Sequence, residues 1–168
     1  MTKLNHRETI NYGIVAGLAG GFAEIAWVTL YAGLTGGDVA LPARGVAAAA
    51  RLGSLFPALS VAIGIVIHMA LAVSLGIALA FAWRAFSANR PKTASPFPFM
   101  VAVLVGIWAV NFFVVLPVVS PAFVHLMPYS ASLISKILFG VAAAEAFRGQ
   151  DASARQQAGR AFFARSVS

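Results

Sequence analysis

The sequence contains two long stretches without a formally charged residue, from Leu52 to Trp83 and from Thr93 to Ser135. Each is longer than the about 20 apolar residues that a membrane-spanning helix needs. Because hydrocarbon holds no water, a chain that crosses it must satisfy its own backbone as helices or as a closed barrel. The stretches are uniformly apolar and lack the alternation of barrel strands. They therefore predict an all-α, polytopic membrane protein.

The composition agrees with this prediction. Hydrophobic residues make up 60% of the chain and charged residues 10%, whereas soluble domains carry about 25% charged residues. The absence of cysteine excludes disulfides, iron–sulfur clusters, thiolate zinc sites and thiol catalysis. The start, "MTKLNHRETI", is similar to the charged region of a signal peptide, but the apolar run after it is too long for a cleaved signal. We interpret it as an uncleaved first span.

Proline and glycine divide the apolar sequence into four predicted transmembrane helices. The separating segments are "TGGD", "NRPKTASPFP" and "VVSPAFVHLMP". The predicted spans are Asn11–Leu34, Pro57–Trp83, Pro98–Val119 and Tyr129–Phe147. Together they form a single membrane domain over residues 1–168, of which residues 149–168 are a basic cytoplasmic tail.

The basic residues predict the orientation of the spans, since cytoplasmic loops carry an excess of lysine and arginine. Only Arg44 and Arg51 fall in loops on the opposite side, and Lys136 lies within span 4. The other basic residues share one side: Lys3, Arg7, Arg84, Arg90, Lys92, Arg148, Arg155, Arg160 and Arg165. We expect both termini in the cytoplasm and the chain in a bacterial inner membrane. A basic rim beside anionic lipid accounts for the net charge of +7 without nucleic acid.

The first outer loop, "LPARGVAAAARLGSLFP", predicts a short helix. Pro42 suits a first helical turn, and an alanine run follows it. Arg44 and Arg51 are seven residues apart and therefore share a face. We expect this helix to lie at the outer membrane surface.

Spans 2 and 4 end in similar sequences, "LGIALAFAWR" and "FGVAAAEAFR". Gly76 aligns with Gly140 and Arg84 with Arg148, and the remaining matches are alanine against alanine. The similarity predicts two helical hairpins arranged as parallel repeats. Chance and shared helix-end chemistry remain open as alternatives.

Glycine recurs along span 1 and defines a helix-packing face that also carries a carboxylate. Small residues at four-residue spacing let two helix backbones approach closely, and Glu24 continues the same stripe. Glu24 is therefore expected to face another helix, because a charge facing lipid would cost about 2.5–3.5 kcal/mol. The glycines predicted to pack helices are Gly13, Gly17, Gly20 and Gly21 in span 1, Gly64 and Gly76 in span 2, and Gly140 in span 4.

Each of the other spans carries one strongly polar residue in the outer half of the bilayer. They are His68 in span 2, Asn111 in span 3 and Lys136 in span 4. With a rise of about 1.5 Å per residue, all three lie at about the height of Glu24. We predict that these four residues meet in one buried polar layer, with Glu24 and Lys136 as an ion pair. Two roles remain open: polar contacts that hold the helices in register, and a functional site for a proton, an ion or a ligand.

No motif in the sequence supports catalysis or a bound cofactor. His68 is the only histidine within a span, so the chain lacks the histidine pair that would hold a haem. Glu24 and His68 alone offer too few ligands for a metal. We therefore predict no catalytic residues, no cofactor and no metal site.

Several features of the sequence are similar to those of small four-helix bacterial inner-membrane proteins of unknown function. They are a glycine-rich span 1, a single histidine in span 2, the "W-x-x-N-F-x-V-V-L-P" pattern from Trp108 to Pro117, and "K-I-L-F-G" in span 4. The resemblance covers most of the chain. It implies the four-helix architecture and brings no activity or site residues with it.

Two functions from different classes are compatible with this pattern. The first is a non-catalytic accessory subunit, not an enzyme, that packs against a larger membrane complex or against copies of itself. Its support is the small size of the chain and its small-residue faces. The alternative is a small proton- or ion-coupled transporter that uses the buried polar layer. Lipid is the one partner common to both.

Overall fold

The computed structural model describes residues 6–88 and 95–166, with side chains in the last helix described as far as Ser153. Of the basic residues used for the predicted orientation, Lys3, Arg90 and Lys92 lie outside these ranges, as do the side chains of Arg155, Arg160 and Arg165.

Every regular element in the described ranges is helical. The elements are α1 (His6–Leu34), α2 (Leu41–Ala49), a 3₁₀ turn (Pro57–Leu59), α3 (Ser60–Ser87), α4 (Pro96–Val110), a π-helical turn (Asn111–Val115), α5 (Leu116–Val119), α6 (Pro121–Val124) and α7 (Tyr129–Ser166).

Four helices are long and apolar enough to cross a membrane, which confirms the predicted all-α, four-span class. They cover His6–Leu34, Pro57–Ser87, Pro96–Val119 and Tyr129–Ser153, and we call them spans 1 to 4. The chain is therefore a multi-pass membrane protein. Two helices extend beyond the predicted spans. α1 already begins at His6, and α7 is 38 residues long and ends at Ser166. No proline follows Tyr129 to interrupt α7.

The helix ends follow local chemistry. At the end of α1, Gly36 adopts φ of 70°, and the N–H of Gly37 donates to the carbonyl of Ala32 over 2.8 Å. This is a Schellman cap, which needs a left-handed residue and thus favours glycine. At the start of α4, the Ser95 hydroxyl accepts from the Phe97 N–H over 3.3 Å, and Pro96 occupies the first turn.

Span 3 is irregular because of a proline. Pro117 has no N–H, and its ring clashes with the carbonyl four residues earlier. In the turn before it, the N–H of Leu116 donates to the carbonyl of Asn111, five residues back, which makes the segment π-helical. Side chains after this turn are therefore rotated relative to those of a regular α-helix.

The spans pack in the order 2–1–4–3, so that α1 and α7 are the central helices. Spans 2 and 3 contact each other much less, and there Trp83 of α3 meets Phe99 of α4 with ring centroids 5.4 Å apart. We call the end of the bundle where α1 begins the terminal end, and the end with α2 and α6 the loop end. The core that joins the four spans comprises Tyr12, Ala16, Ala72, Leu79, Ala80, Trp83, Met100, Leu104, Phe139, Ala143, Ala144 and Phe147.

Glycine allows α1 and α3 to cross with their backbones in contact. A Cβ added at Gly17 would lie 2.5 Å from the carbonyl oxygen of Ala72 and 2.6 Å from the Cα of Val73. Gly13 and Gly76 face each other in the same crossing, where a Cβ on either would strike the other helix's backbone. The close approach lets many weak dispersion contacts form along the crossing.

The remaining predicted packing glycines also contact the chain's own helices. A Cβ at Gly21 would lie 2.8 Å from the Cβ of Ala72, and one at Gly140 would lie 3.0 Å from the Cα of Val101 in α4. Gly20 lies against the ring of Phe139, and Gly64 lies against the backbone of Ala43 in α2. All seven glycines are thus used in packing within the chain.

The extension of α7 beyond the core is held against the start of α1. The Tyr12 hydroxyl donates to Asp151 Oδ1 over 3.2 Å, and the Tyr12 ring meets that of Phe147 edge-on with centroids 5.6 Å apart. The Arg84 guanidinium of α3 donates to the Thr9 hydroxyl over 3.2 Å. These contacts fix the terminal end of spans 1, 2 and 4.

We expect Gly17→Ala to destabilise the protein by about 1–3 kcal/mol, because the added methyl group would meet backbone atoms that can move only with the whole helix. The measurement is the free energy of unfolding in mixed micelles titrated with a denaturing detergent. Gly33→Ala is the matched control, since a Cβ at Gly33 meets nothing within 4 Å; it should be neutral or stabilising by up to about 1 kcal/mol. Equal effects of the two changes would contradict the proposed backbone contact.

Candidate functional site

The buried carboxylate of span 1 lies at the centre of a polar cluster. Glu24 is 3% exposed and belongs to the buried face of α1 that includes Gly17, Gly20 and Gly21. Because those glycines bring α3 and α7 close to α1, side chains from both helices can reach the carboxylate.

Lys136 of α7 forms an ion pair with this carboxylate. Its Nζ lies 2.6 Å from Glu24 Oε1, and its side chain is 21% exposed. Neither charge is left unpaired in the low-dielectric interior, where a single charge would be very costly. The pair therefore links span 1 to span 4 at one defined height.

Serine residues of α7 complete this side of the cluster. The Ser135 hydroxyl lies 3.4 Å from Glu24 Oε1 and donates to the Ser132 carbonyl over 2.8 Å. Ser132 in turn accepts from the Trp108 indole N–H over 3.0 Å, which ties α7 to α4. Ser135 was not among the predicted site residues. The available signal was its spacing of three and four residues from Ser132 and Phe139, which places all three on one helix face.

His68 of α3 approaches the other carboxylate oxygen. Its Nε2 lies 3.7 Å from Glu24 Oε2, and its side chain is 26% exposed. The separation is too long for a hydrogen bond, which requires about 2.7–3.2 Å. The Nε2 atom itself is buried and has no hydrogen-bond partner among the described residues. The two oxygens of one carboxylate thus face different groups: an ammonium on one side and an unpartnered imidazole nitrogen on the other.

Asn111 lies apart from this cluster. It opens the π-helical turn of span 3, is partly buried, and lines a groove of about 420 Å³ with Gly106, Ile107 and Val110. In the described part of the chain, no hydrogen bond joins its amide to Glu24, His68 or Lys136. The structure therefore brings together three of the four residues of the predicted layer.

Other ionisable residues contribute little to a site. Glu145 and Arg148 form an ion pair of 2.7 Å, but their side chains are 57% and 65% exposed. His125 is exposed near the loop end. Within residues 6–88 and 95–166, no three His, Asp or Glu residues come close enough to hold a metal ion.

Comparison with known proteins gives no match: no family model, no curated protein and no solved structure is similar to this chain. The interpretation of the cluster therefore depends on its own geometry.

We expect Lys136→Met to destabilise the protein by about 3–5 kcal/mol, because it leaves the Glu24 carboxylate buried without its counter-charge. Adding Glu24→Gln should restore most of the loss, since the double variant buries no charge at this position. The measurement is again unfolding in mixed micelles. Glu145→Gln is the control that breaks an exposed pair, with an expected cost below about 1 kcal/mol. If the changes in unfolding free energy caused by the Lys136 and Glu24 substitutions simply add, the two side chains do not interact as an ion pair.

Proposed function

We propose that this chain is a non-catalytic membrane subunit that packs against another membrane-spanning chain through one face of span 3. The observation that supports the proposal is the exposed groove at Gly106 and Asn111. A Cβ at Gly106 would meet nothing within 4 Å, so this glycine, unlike the seven packing glycines, has no packing neighbour among the described residues.

The polar group beside Gly106 supports the same proposal. The side-chain amide of Asn111 has both donors and an acceptor, and within the described residues it has no hydrogen bond. A polar group held in hydrocarbon without a partner costs about 2–7 kcal/mol. An asparagine next to a glycine on a lipid-facing surface is the combination that favours close helix–helix contact with an interhelical hydrogen bond.

The small-residue faces of spans 1, 2 and 4 do not support this role. They were the reason to expect external partners, yet their glycines contact α1, α3, α4 and α7 of the same chain, or the backbone of α2. We therefore assign the proposed partner surface to span 3, whose exposed residues include Ile107 (38% exposed) and Val110 (56% exposed).

The test is extraction of the native membrane in mild detergent, followed by size analysis and mass spectrometry. We expect the wild-type chain to co-migrate with a different, larger polypeptide, and Asn111→Leu to reduce the recovered partner several-fold. Asn11→Leu is the matched control, because it makes the same change at an exposed position of the terminal end. A wild-type chain that migrates as a monomer would contradict the proposal.

A small proton- or ion-coupled carrier is the second candidate function. The observation that favours it is the ionisable cluster of Glu24, His68 and Lys136 on three different spans, since ionisable groups within spans often mark ion pathways. The same extraction distinguishes the two candidates. A pure homo-oligomer that supports flux in liposomes, with the flux abolished by Glu24→Gln, would favour the carrier.

We further propose that the chain lies in a bacterial inner membrane with both termini in the cytoplasm, and that α2 lies at the outer surface. The basic residues of the terminal end support this orientation. We also propose that spans 1–2 and 3–4 are two related hairpins. In each, the aligned glycine of the second span, Gly76 or Gly140, packs against the first span of its own hairpin.

Single cysteines test the orientation, because the chain has none of its own. We expect Ser54→Cys, in the loop after α2, to react with a membrane-impermeant maleimide added to intact spheroplasts. Ser153→Cys, on α7, should react only after the membrane is opened. Both serines are exposed, so the contrast reports sidedness rather than burial. The reverse labelling pattern would place both termini outside.

A further inference from the structure

We propose that the cluster of Glu24, His68 and Lys136 is a proton-binding site, in which one proton is held between His68 Nε2 and Glu24 Oε2. The inference depends on the geometry of the cluster and not on the subunit role. It would supply the ligand of the carrier candidate, but it also holds for a chain that transports nothing.

The unpartnered nitrogen of His68 is the first observation. The neutral imidazole has one nitrogen that donates and one that accepts. If Nε2 is the acceptor, it faces a carboxylate oxygen, another acceptor, across 3.7 Å. If Nε2 carries the hydrogen, the distance from Nε2 to that oxygen is at least about 0.5 Å longer than a hydrogen bond allows. Among the described residues, either neutral form leaves the buried Nε2 without a hydrogen-bond partner.

Adding a proton satisfies both groups. The proton forms an N–H bond at His68, the imidazole becomes a cation with donors on both nitrogens, and no other bond breaks. A cationic donor bonds more strongly to a carboxylate and at shorter distance than a neutral one. We infer that protonation draws Nε2 and Oε2 together, and that the net charge of the cluster rises from zero to +1.

The charged groups around His68 act on a bound proton in opposite directions. From α1 it faces the Glu24 carboxylate and the backbone carbonyl of Gly21, which attract a proton, and from α7 it faces Lys136, which repels one. α2 also packs on α3, where Ala43 meets Gly64, and it carries Arg44, which is paired with Asp38. Span 3 has no formally charged residue between Pro96 and Val119. One carboxylate is thus shared by two basic groups.

The imidazole is the less buried member of the pair. The Glu24 side chain is 5% exposed and that of His68 is 26% exposed, although the Nε2 atom itself is buried. Lys136 already holds the opposite oxygen, so binding at His68 does not require the ion pair to break.

The experiment is nitrogen-15 NMR of the full chain in lipid bilayers with labelled histidine, over a range of pH. The His68 signals are assigned as those lost in His68→Gln, which separates them from His6 and His125. In the wild type we expect Nε2 to gain a proton on acidification. The Nε2–Oε2 separation should shorten from 3.7 Å to about 2.7–3.2 Å.

The double variant Glu24→Gln/Lys136→Met tests the role of the carboxylate without leaving a buried charge unpaired. At the pH where wild-type His68 is half protonated, we expect at least a tenfold excess of the neutral form in the double variant. A wild-type His68 that stays neutral over the whole range, a contact that stays at 3.7 Å, or equal protonation in the double variant would each overturn the proposal. The protonation of His68 and the Nε2–Oε2 separation are both measured on the wild-type protein. The subunit role is tested separately, by co-migration with a partner.

Discussion

The carboxylate of Glu24 is the constraint on which the arrangement of the other spans depends. A buried charge is tolerated only when an opposite charge and hydrogen bonds surround it, and the Lys136 ammonium of α7 supplies both, since its Nζ lies 2.6 Å from Glu24 Oε1. Because these two atoms lie so close together, the contact favours the register of α7 against α1 that places the two groups at the same height. Sliding α7 by one turn, about 5.4 Å, would remove the ammonium from the carboxylate.

Distance and register are set by different residues in this bundle. The glycines of α1 and α3 determine how closely two helices approach, and dispersion contacts between smooth backbones stabilise many neighbouring registers about equally. The polar cluster adds the specificity that these contacts lack. Glu24 lies one helical turn beyond Gly20 and Gly21, so the close approach and the ion pair occur on the same face. Each depends on the other: without the glycines, Lys136 and His68 would be too far from the carboxylate to respond to it.

The sequence predicted the four spans because length and apolarity alone decide whether a helix can cross a membrane. It also predicted the pairing of Glu24 with Lys136, since depth along the bilayer and a small-residue stripe together define a position. It did not predict the position of Asn111. Depth gives the height of a residue but not the direction in which it points. The sequence did not predict that the C-terminal segment continues the helix of span 4 to Ser166, because its polar residues end the apolar pattern that marks a span.

The presence of His68 separates a purely structural cluster from one that can change its charge. The charges of Glu24 and Lys136 already cancel, and these two residues with Ser135 are sufficient to hold span 1 against span 4. A neutral imidazole at 3.7 Å adds no hydrogen bond to this contact and leaves its own nitrogen unsatisfied. An alanine or a leucine at this position would leave no such nitrogen. In the proposed protonated state, the imidazolium and the ammonium each bond one oxygen of the same carboxylate.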